Sequence, residues 1–460
     1  MRLFAKKSVW VVPASSAACL AAWMKNFRFR TGLSRLRQHG ASLAISGASQ
    51  AISSLSNFCI TLYLMRVMEK EQFGLYGLGF GIVLMLAGII TASISVQFVV
   101  NLPDQPHGQR ACYAMHHAAA IALVGAVLTG IAAMLSVVLS NWHLPGGTIA
   151  KQLVLPVASA AAIYGLRDLL MRFAFSERDE MLVLRSNVAV GLVVLCTLFA
   201  AVQIGIELNA GIALCLYSAG QLAGCLVGLS RQGMPWREFR LRQMQHAFSH
   251  SWQGGRWSVL TSLIYSMRTQ VHNFVVPPLL GIAALAEINA ARLLVTPAVM
   301  AIPPFTQVLM PRLAEQRSRG VSTLVRTARM AIIGLSVVAL LYSTMLMLSL
   351  SWLLPLVLGE PYRHVGGLVL AWCVVTVFLA LRNGLSITLQ VLRAFRGLMF
   401  ANLVAAILAV VVAIFLVEPL GANGVVSALG LAELLLCLVL VMMIRIRVHA
   451  ELAGKSTAKQ

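Results

Sequence analysis

Residues 421–444 read GANGVVSALGLAELLLCLVLVMMI and are followed at once by Arg445-Ile446-Arg447. The stretch holds one ionisable side chain, Glu433, near its middle. A bilayer core about 30 Å thick needs about 20 apolar residues at a rise of ~1.5 Å each, so a segment of this kind reads as a membrane span. The arginines that follow it place that end of the span on the cytoplasmic side.

Working outward from this segment, charge-poor windows of similar length recur along the whole chain. They lie at approximately 41–65, 75–100, 112–140, 153–174, 183–204, 208–230, 257–280, 284–309, 329–354, 366–390, 397–417 and 421–444. The composition agrees: 59% of the 460 residues are hydrophobic and 11% charged, which excludes an ordinary soluble domain. The expected fold is all-α, a polytopic membrane protein of about twelve transmembrane helices. The longest connecting segments, near 231–255 and 310–328, are too short to fold alone.

The net charge of +21 raises the question of nucleic acid. The Lys and Arg residues sit in short segments between apolar windows rather than on a soluble module, so they report topology, and no nucleic-acid partner is expected. With the N-terminus cytoplasmic, the segments outside the membrane carry only Arg66, Lys70, Lys151 and Arg363. The segments inside carry most of the others, including Arg28, Arg30, Arg35, Arg37, Arg237, Arg240, Arg242, Arg312, Arg317 and Arg319. Both termini are therefore expected on the cytoplasmic side. Residues 8–24, with Lys6 and Lys7 before them and Pro13 inside, read as a weak signal peptide or an over-extended reading frame more than a span. A chain starting at Met24 would open on Met-Lys-Asn-Phe-Arg, a basic lead into the first span. The eight cysteines (Cys19, Cys59, Cys112, Cys196, Cys215, Cys225, Cys373 and Cys437) lie in or beside apolar windows with no Cys-x-x-Cys, so neither a metal site nor a cofactor is expected.

The two halves of the chain share a register. At an offset of 216, Glu71 falls on Glu287 and Asn57-Phe58 on Asn273-Phe274. At 215, Leu166-Arg167-Asp168 falls on Leu381-Arg382-Asn383, Arg178 on Arg393 and Asn187 on Asn402. Matches at equivalent topological places indicate duplication. The expected organisation is a basic cytoplasmic segment (1–40), an N-lobe of spans 1–6 (41–230), a basic cytoplasmic linker (231–256), a C-lobe of spans 7–12 (257–444) and a cytoplasmic tail (445–460). Six is an even number, so both lobes enter the membrane in one orientation and face each other across a central cleft.

Polar residues inside the spans nominate the lining of that cleft. Ser46, Gln50, Ser53 and Asn57 share a face of span 1, and the equivalent Ser262, Ser266, Thr269 and Asn273 share a face of span 7. Such stripes either line a hydrated cleft or bond across packed helices. Charges at membrane depth are more informative, because each costs at least about 2.5 kcal/mol on insertion scales. The candidate cavity residues are Arg268, His272, Arg292, Arg167, Arg382, Asn57, Asn273 and Gln50, with Asp168 and Glu433 as candidate coupling carboxylates. Arg167 and Arg382 also approach the cytoplasmic ends of their spans, where snorkelling is an alternative. Guanidinium pairs bidentately with phosphate and stays charged, so an arginine-lined cavity suits an anionic cargo such as an undecaprenyl-pyrophosphate headgroup. Pro277 and Pro278 end span 7, and Pro297, Pro303 and Pro304 are expected to interrupt span 8.

The stretch from Leu64 to Tyr76, LMRVMEKEQFGLY, resembles the segment joining the first two spans of Wzx-type polysaccharide flippases, in the multidrug/oligosaccharidyl-lipid/polysaccharide exporter superfamily. Leu280-Gly281 through Arg292, Met310-Pro311-Arg312-Leu313-Ala314 and Leu358-Gly359-Glu360-Pro361-Tyr362 are similar to later segments of that family. Glu287-Ile288-Asn289 stands where the family more often has Gly-x-Tyr. The resemblance covers essentially residues 41–445. It implies a MATE-like, two-lobed transporter that moves lipid-linked oligosaccharide to the outer leaflet of the bacterial cytoplasmic membrane. It also implies a polysaccharide polymerase and other assembly proteins as partners.

Two other functions compete. A cation-coupled drug exporter of the same fold needs cavity carboxylates, whereas Arg outnumbers Asp and Glu in these spans. A membrane polymerase or ligase needs a sizeable outer loop and a catalytic constellation; the outer segments are about a dozen residues or fewer and carry no nucleophile–base or metal-ligand set. A non-enzymatic transporter is therefore the expected class.

Overall fold

A computed structural model of the protein describes residues 29–141 and 147–457. Residues 8–24, and with them the question of a signal peptide or alternative start, lie outside the described residues. The described chain is helical, in the order α1 (Phe29–Val67), α2 (Lys70–Ile90), α3 (Arg110–Asn141), α4 (Gly147–Ser176), α5 (Glu180–Gln203), α6 (Ala210–Arg231), α7 (Leu241–Thr269), α8 (Val271–Leu280), α9 (Ile282–Arg319), α10 (Val321–Leu348), α11 (Gly366–Val391) and α12 (Phe395–Thr457). Helix α2 continues through a π-helical turn, Thr91–Ser95, into Val96–Asn101.

Nine helices among the described residues are long and apolar enough to cross a membrane, the last running Phe395–Ala450. That last one is two spans. Gly421 has φ 56° and ψ −138° inside α12, and a Cβ at Gly424 would run into the carbonyl of Leu416. Eight residues of straight helix would separate those positions by about 12 Å. Likewise a Cβ at Gly397 would meet the Met443 methyl. Helix α12 therefore folds back on itself at Gly421, giving antiparallel arms that match windows 397–417 and 421–444. Helices α1 and α7–α8 supply windows 41–65 and 257–280. Helix α8 is apolar but only 10 residues long, because span 7 is broken at Gln270.

Arg178 and Arg393 are the only non-glycine residues with positive φ among those described, at 60° and 56°. They are the pair that the 215-residue register superimposes. Each ends a helix in the same two-bond cap. Arg178 N donates to Phe175 O and Asp179 N to Ala174 O, as Arg393 N donates to Gln390 O and Ala394 N to Leu389 O. These are the bonds of a Schellman C-cap, with arginine where glycine is usual. Packing repeats too: α1 lies against α5 and α4 against α6, as α7–α8 and α11 lie against α12.

Within the segment expected as a basic cytoplasmic linker (231–256), α7 begins at Leu241 and runs without a break into the span. Gly254 of that lead lies against the Gln97 side chain, Gly255 against the Ser93 backbone, and Ser251 Oγ is 3.1 Å from His117 Nε2. The lead thus packs on α2 and α3. One sequence expectation needs correction: Pro297, Pro303 and Pro304 do not interrupt span 8, because α9 is continuous from Ile282 to Arg319. Proline removes one donor but its fixed φ is helical, and packed neighbours keep such a helix intact. The break falls instead in span 7, at Gln270 (φ −114°, ψ 14°), between α7 and α8.

Candidate functional site

A cavity of about 1040 Å³ opens between α1 and α2 on one side and α7, α8, α9, α11 and α12 on the other. Asn57 reaches it from α1; Ser262, Ser266, Thr269 and Asn273 all line it from α7 and α8. The charged residues among its described lining are Arg268, Arg292, Arg382 and Glu433. Three guanidiniums against one carboxylate leave a net charge of +2, all of it carried by the second half of the chain.

Glu433, 7% exposed, sits between two arginines. Its Oε1 accepts from Arg268 Nη1, and its Oε2 is 2.7 Å from Arg382 Nε. The second contact is an ion pair without hydrogen-bond alignment, since the Arg382 N–H does not point at the oxygen. Arg268 and Arg382 are 2% and 6% exposed. Arg268 Nε and Nη2 have no hydrogen-bond partner. Arg292 lies over the Trp372 ring, 5.4 Å from its centroid, with Nη1 3.4 Å from His272 Nε2. The Trp372 indole N–H donates to Ile288 O at 3.1 Å, which fixes the ring under the guanidinium.

The remaining sequence candidates lie elsewhere. His272 is fully buried behind Arg292 and is not part of the lining. Gln50 is exposed on the surface of α1. Arg167 donates to Ser186 Oγ (3.0 Å), Gln221 Oε1 (3.1 Å) and Asn187 Oδ1, a closed network within the first six helices. Asp168 accepts from Arg172 Nε at 2.7 Å and from Thr91 Oγ1 at 3.0 Å, so it pins the π-turn of α2. Neither Arg167 nor Asp168 reaches the cavity. The sequence reading missed Trp372, Tyr265, Asn289, Thr376 and Gln270, which also line it. An aromatic or amide on an apolar helix carries no signal of the direction it faces.

At one end the cavity is closed by contacts between the halves. Lys70 Nζ is 2.5 Å from Glu287 Oε1, which also meets His364 Nε2 at 2.9 Å. Arg66 donates to the carbonyls of Leu356 and Val357. Tyr362 is buried beside this cluster, and the loss of water pushes its hydroxyl up to about 12, so it stays neutral. Three of the segments that carry the family resemblance, 64–76, 280–292 and 358–362, converge here. On α2, Gly74, Gly77 and Gly81 face Ile282 O, Asn289 and Asn273 so closely that a Cβ at any of them would clash.

This architecture matches solved structures along nearly its whole length. The lipid II flippase MurJ in its inward closed conformation superposes with a TM-score of 0.70 over 87% of each chain, at 11% identity. An inward-facing multidrug resistance MATE transporter of the MOP superfamily gives 0.67 over 89% of this chain and 98% of that one, at 16% identity. The eukaryotic MATE transporter AtDTX14 gives 0.62 over 90% and 99%, at 14% identity. The chain has the MATE and MurJ fold. No family model matches its sequence, and no curated protein does. Within the MATE-like fold the cavity lies between the two halves, so its charge is the feature that bears on what this chain holds.

Proposed function

We propose that the protein is a transporter that flips lipid-linked oligosaccharide, carried on undecaprenyl pyrophosphate, across the bacterial cytoplasmic membrane. It would do so by alternating access between an N-lobe of residues 41–230 and a C-lobe of residues 257–444, with both termini cytoplasmic. The product would feed exopolysaccharide, capsule or O-antigen synthesis, alongside a polymerase and other assembly proteins. The observation that carries this reading is the +2 cavity lined by Arg268, Arg292 and Arg382 against Glu433. A pyrophosphate diester has two negative charges, and guanidinium donors match phosphate oxygens in pairs. The polyprenyl tail would stay in the bilayer while the head enters.

The chain shares its fold with multidrug resistance MATE transporters, so a cation-coupled drug exporter is the second reading. One cavity carboxylate already flanked by two guanidiniums is a poor receptor for a cationic drug. The test is complementation of a strain lacking the gene. Arg268→Ala or Arg292→Ala, at normal protein levels, should abolish or sharply reduce surface polysaccharide and leave drug susceptibility unchanged. Lysine at either position should restore part of the output if charge is sufficient and none if paired donors are required. Full polysaccharide from both alanine variants would remove the cavity from the account.

A further inference from the structure

Glu433 occupies the place that an anionic cargo would need. It comes from the second arm of α12 and lies between Arg268 of α7 and Arg382 of α11. One carboxylate oxygen meets each arginine, so a single anion bridges two guanidiniums, as a phosphoryl group would. Other groups facing the trio do not neutralise it: the Tyr265 ring lies 5.6 Å from the Arg268 guanidinium, and Cys437 follows on the same arm of α12. Arg292, on α9, supplies further positive charge to the same cavity. Arg268 keeps Nε and Nη2 unpartnered although it is nearly fully buried. Buried donors without partners are costly, and a larger anion with more acceptor oxygens would satisfy them where one carboxylate does not.

We propose that Glu433 is a built-in competitor for the cargo, an internal anion that holds Arg268 and Arg382 while the cavity is empty and must leave them when a diphosphate enters. This rests on the anionic-cargo reading above. Displacement strands a carboxylate in a site 7% exposed, and such a group is neutralised rather than left charged and unpaired. The balance is one proton taken from solution onto a Glu433 oxygen for each diphosphate bound, and one returned on release. Glu433 is thus a coupling residue: it makes the affinity for an anion depend on the proton concentration at the side to which the cavity opens. Gln221, which accepts from Arg167 in the first half, carries no charge and gives that network no such property.

The test uses the full-length protein in lipid nanodiscs and a synthetic short-chain prenyl diphosphate sugar, a diester whose charge is constant over the range examined. Wild-type affinity should weaken as pH rises, by up to about 100-fold across two units for a fully linked proton. Glu433→Gln should bind the probe at least about tenfold tighter at the alkaline end and show a flat pH profile. A dye in weakly buffered solution should register about one proton taken up per probe bound by wild type, a measurement that needs no variant. Probe binding by wild type with no proton uptake, or with the same affinity and slope as Glu433→Gln, overturns the competitor role and leaves the anionic-cargo reading standing. No binding of the probe by either protein overturns both.

Discussion

Arginine at membrane depth has two fates in this chain, and side-chain partners separate them. Arg268, Arg292 and Arg382 face a cavity, Arg268 and Arg382 with unpartnered donors, whereas Arg167 is tied to Ser186, Asn187 and Gln221. Arg167→Ala should therefore act on stability, lowering it by about 2 kcal/mol as hydrogen bonds to a charged group are lost. Thermal unfolding in detergent should show a reduced Tm, while probe affinity in the surviving folded protein stays within about twofold of wild type. A large loss of affinity without a loss of Tm would mean that Arg167 reaches the cargo. The sequence grouped Arg167 with Arg382, as both approach the cytoplasmic ends of their spans, yet only Arg382 lines the cavity; rarity in a span signals a role but not which one. It also placed Gln50 with Asn57 on one helical face, yet Gln50 is exposed and only Asn57 lines the cavity. Gln50 lies two turns before Asn57, about 10 Å along the same face of α1, and so meets different neighbours. The stripe of α7–α8 lines the cavity on both sides of the break at Gln270.

Helix ends hold the clearest record of duplication. Arg178 and Arg393 each adopt a left-handed conformation that costs a side-chain-bearing residue roughly 1–2 kcal/mol. Glycine at either place should leave Tm unchanged or raised, while a β-branched residue should lower stability by about 1–2 kcal/mol or more. Scanning calorimetry of Arg393→Gly and Arg393→Val checks this, and equal destabilisation by both would show that the arginine side chain, not the backbone, decides. On α2 the expectation concerns opening. Gly74 abuts the carbonyl of Ile282, so Gly74→Val should wedge α2 away from α9. Labelling of a cysteine placed at Thr296 by a membrane-impermeant reagent added from that side should rise several-fold. Unchanged labelling would mean that this seam does not close the cavity. The spans, their order and the repeat register were legible because bilayer thickness and the offset of residue identities are properties of sequence alone. The break at Gln270, the unbroken α9 and the early start of α7 were not, because they are set by packing between segments distant in the chain.

At the scale of the molecule, the halves meet through Lys70, Glu287 and His364 at one end and through the lead of α7 against α2 and α3 at the other. Alternating access requires these seams to open in turn. Lys70→Cys with Glu287→Cys, in a background lacking other cysteines, should form a disulfide on oxidation that stops polysaccharide export and releases it on reduction. Export that continues with the bond formed would exclude opening at that seam. The charge of the cavity remains the centre of the account. The most direct measurement reconstitutes the purified protein in liposomes and follows movement of a fluorescent prenyl diphosphate oligosaccharide between leaflets. A neutral prenyl-linked sugar and a lipophilic cationic dye serve as alternative cargoes. The wild type should flip the diphosphate and move neither alternative, and the combined Arg268→Ala and Arg292→Ala variant should flip none of the three. Transport of the cationic dye without the diphosphate would contradict the anionic-cargo reading.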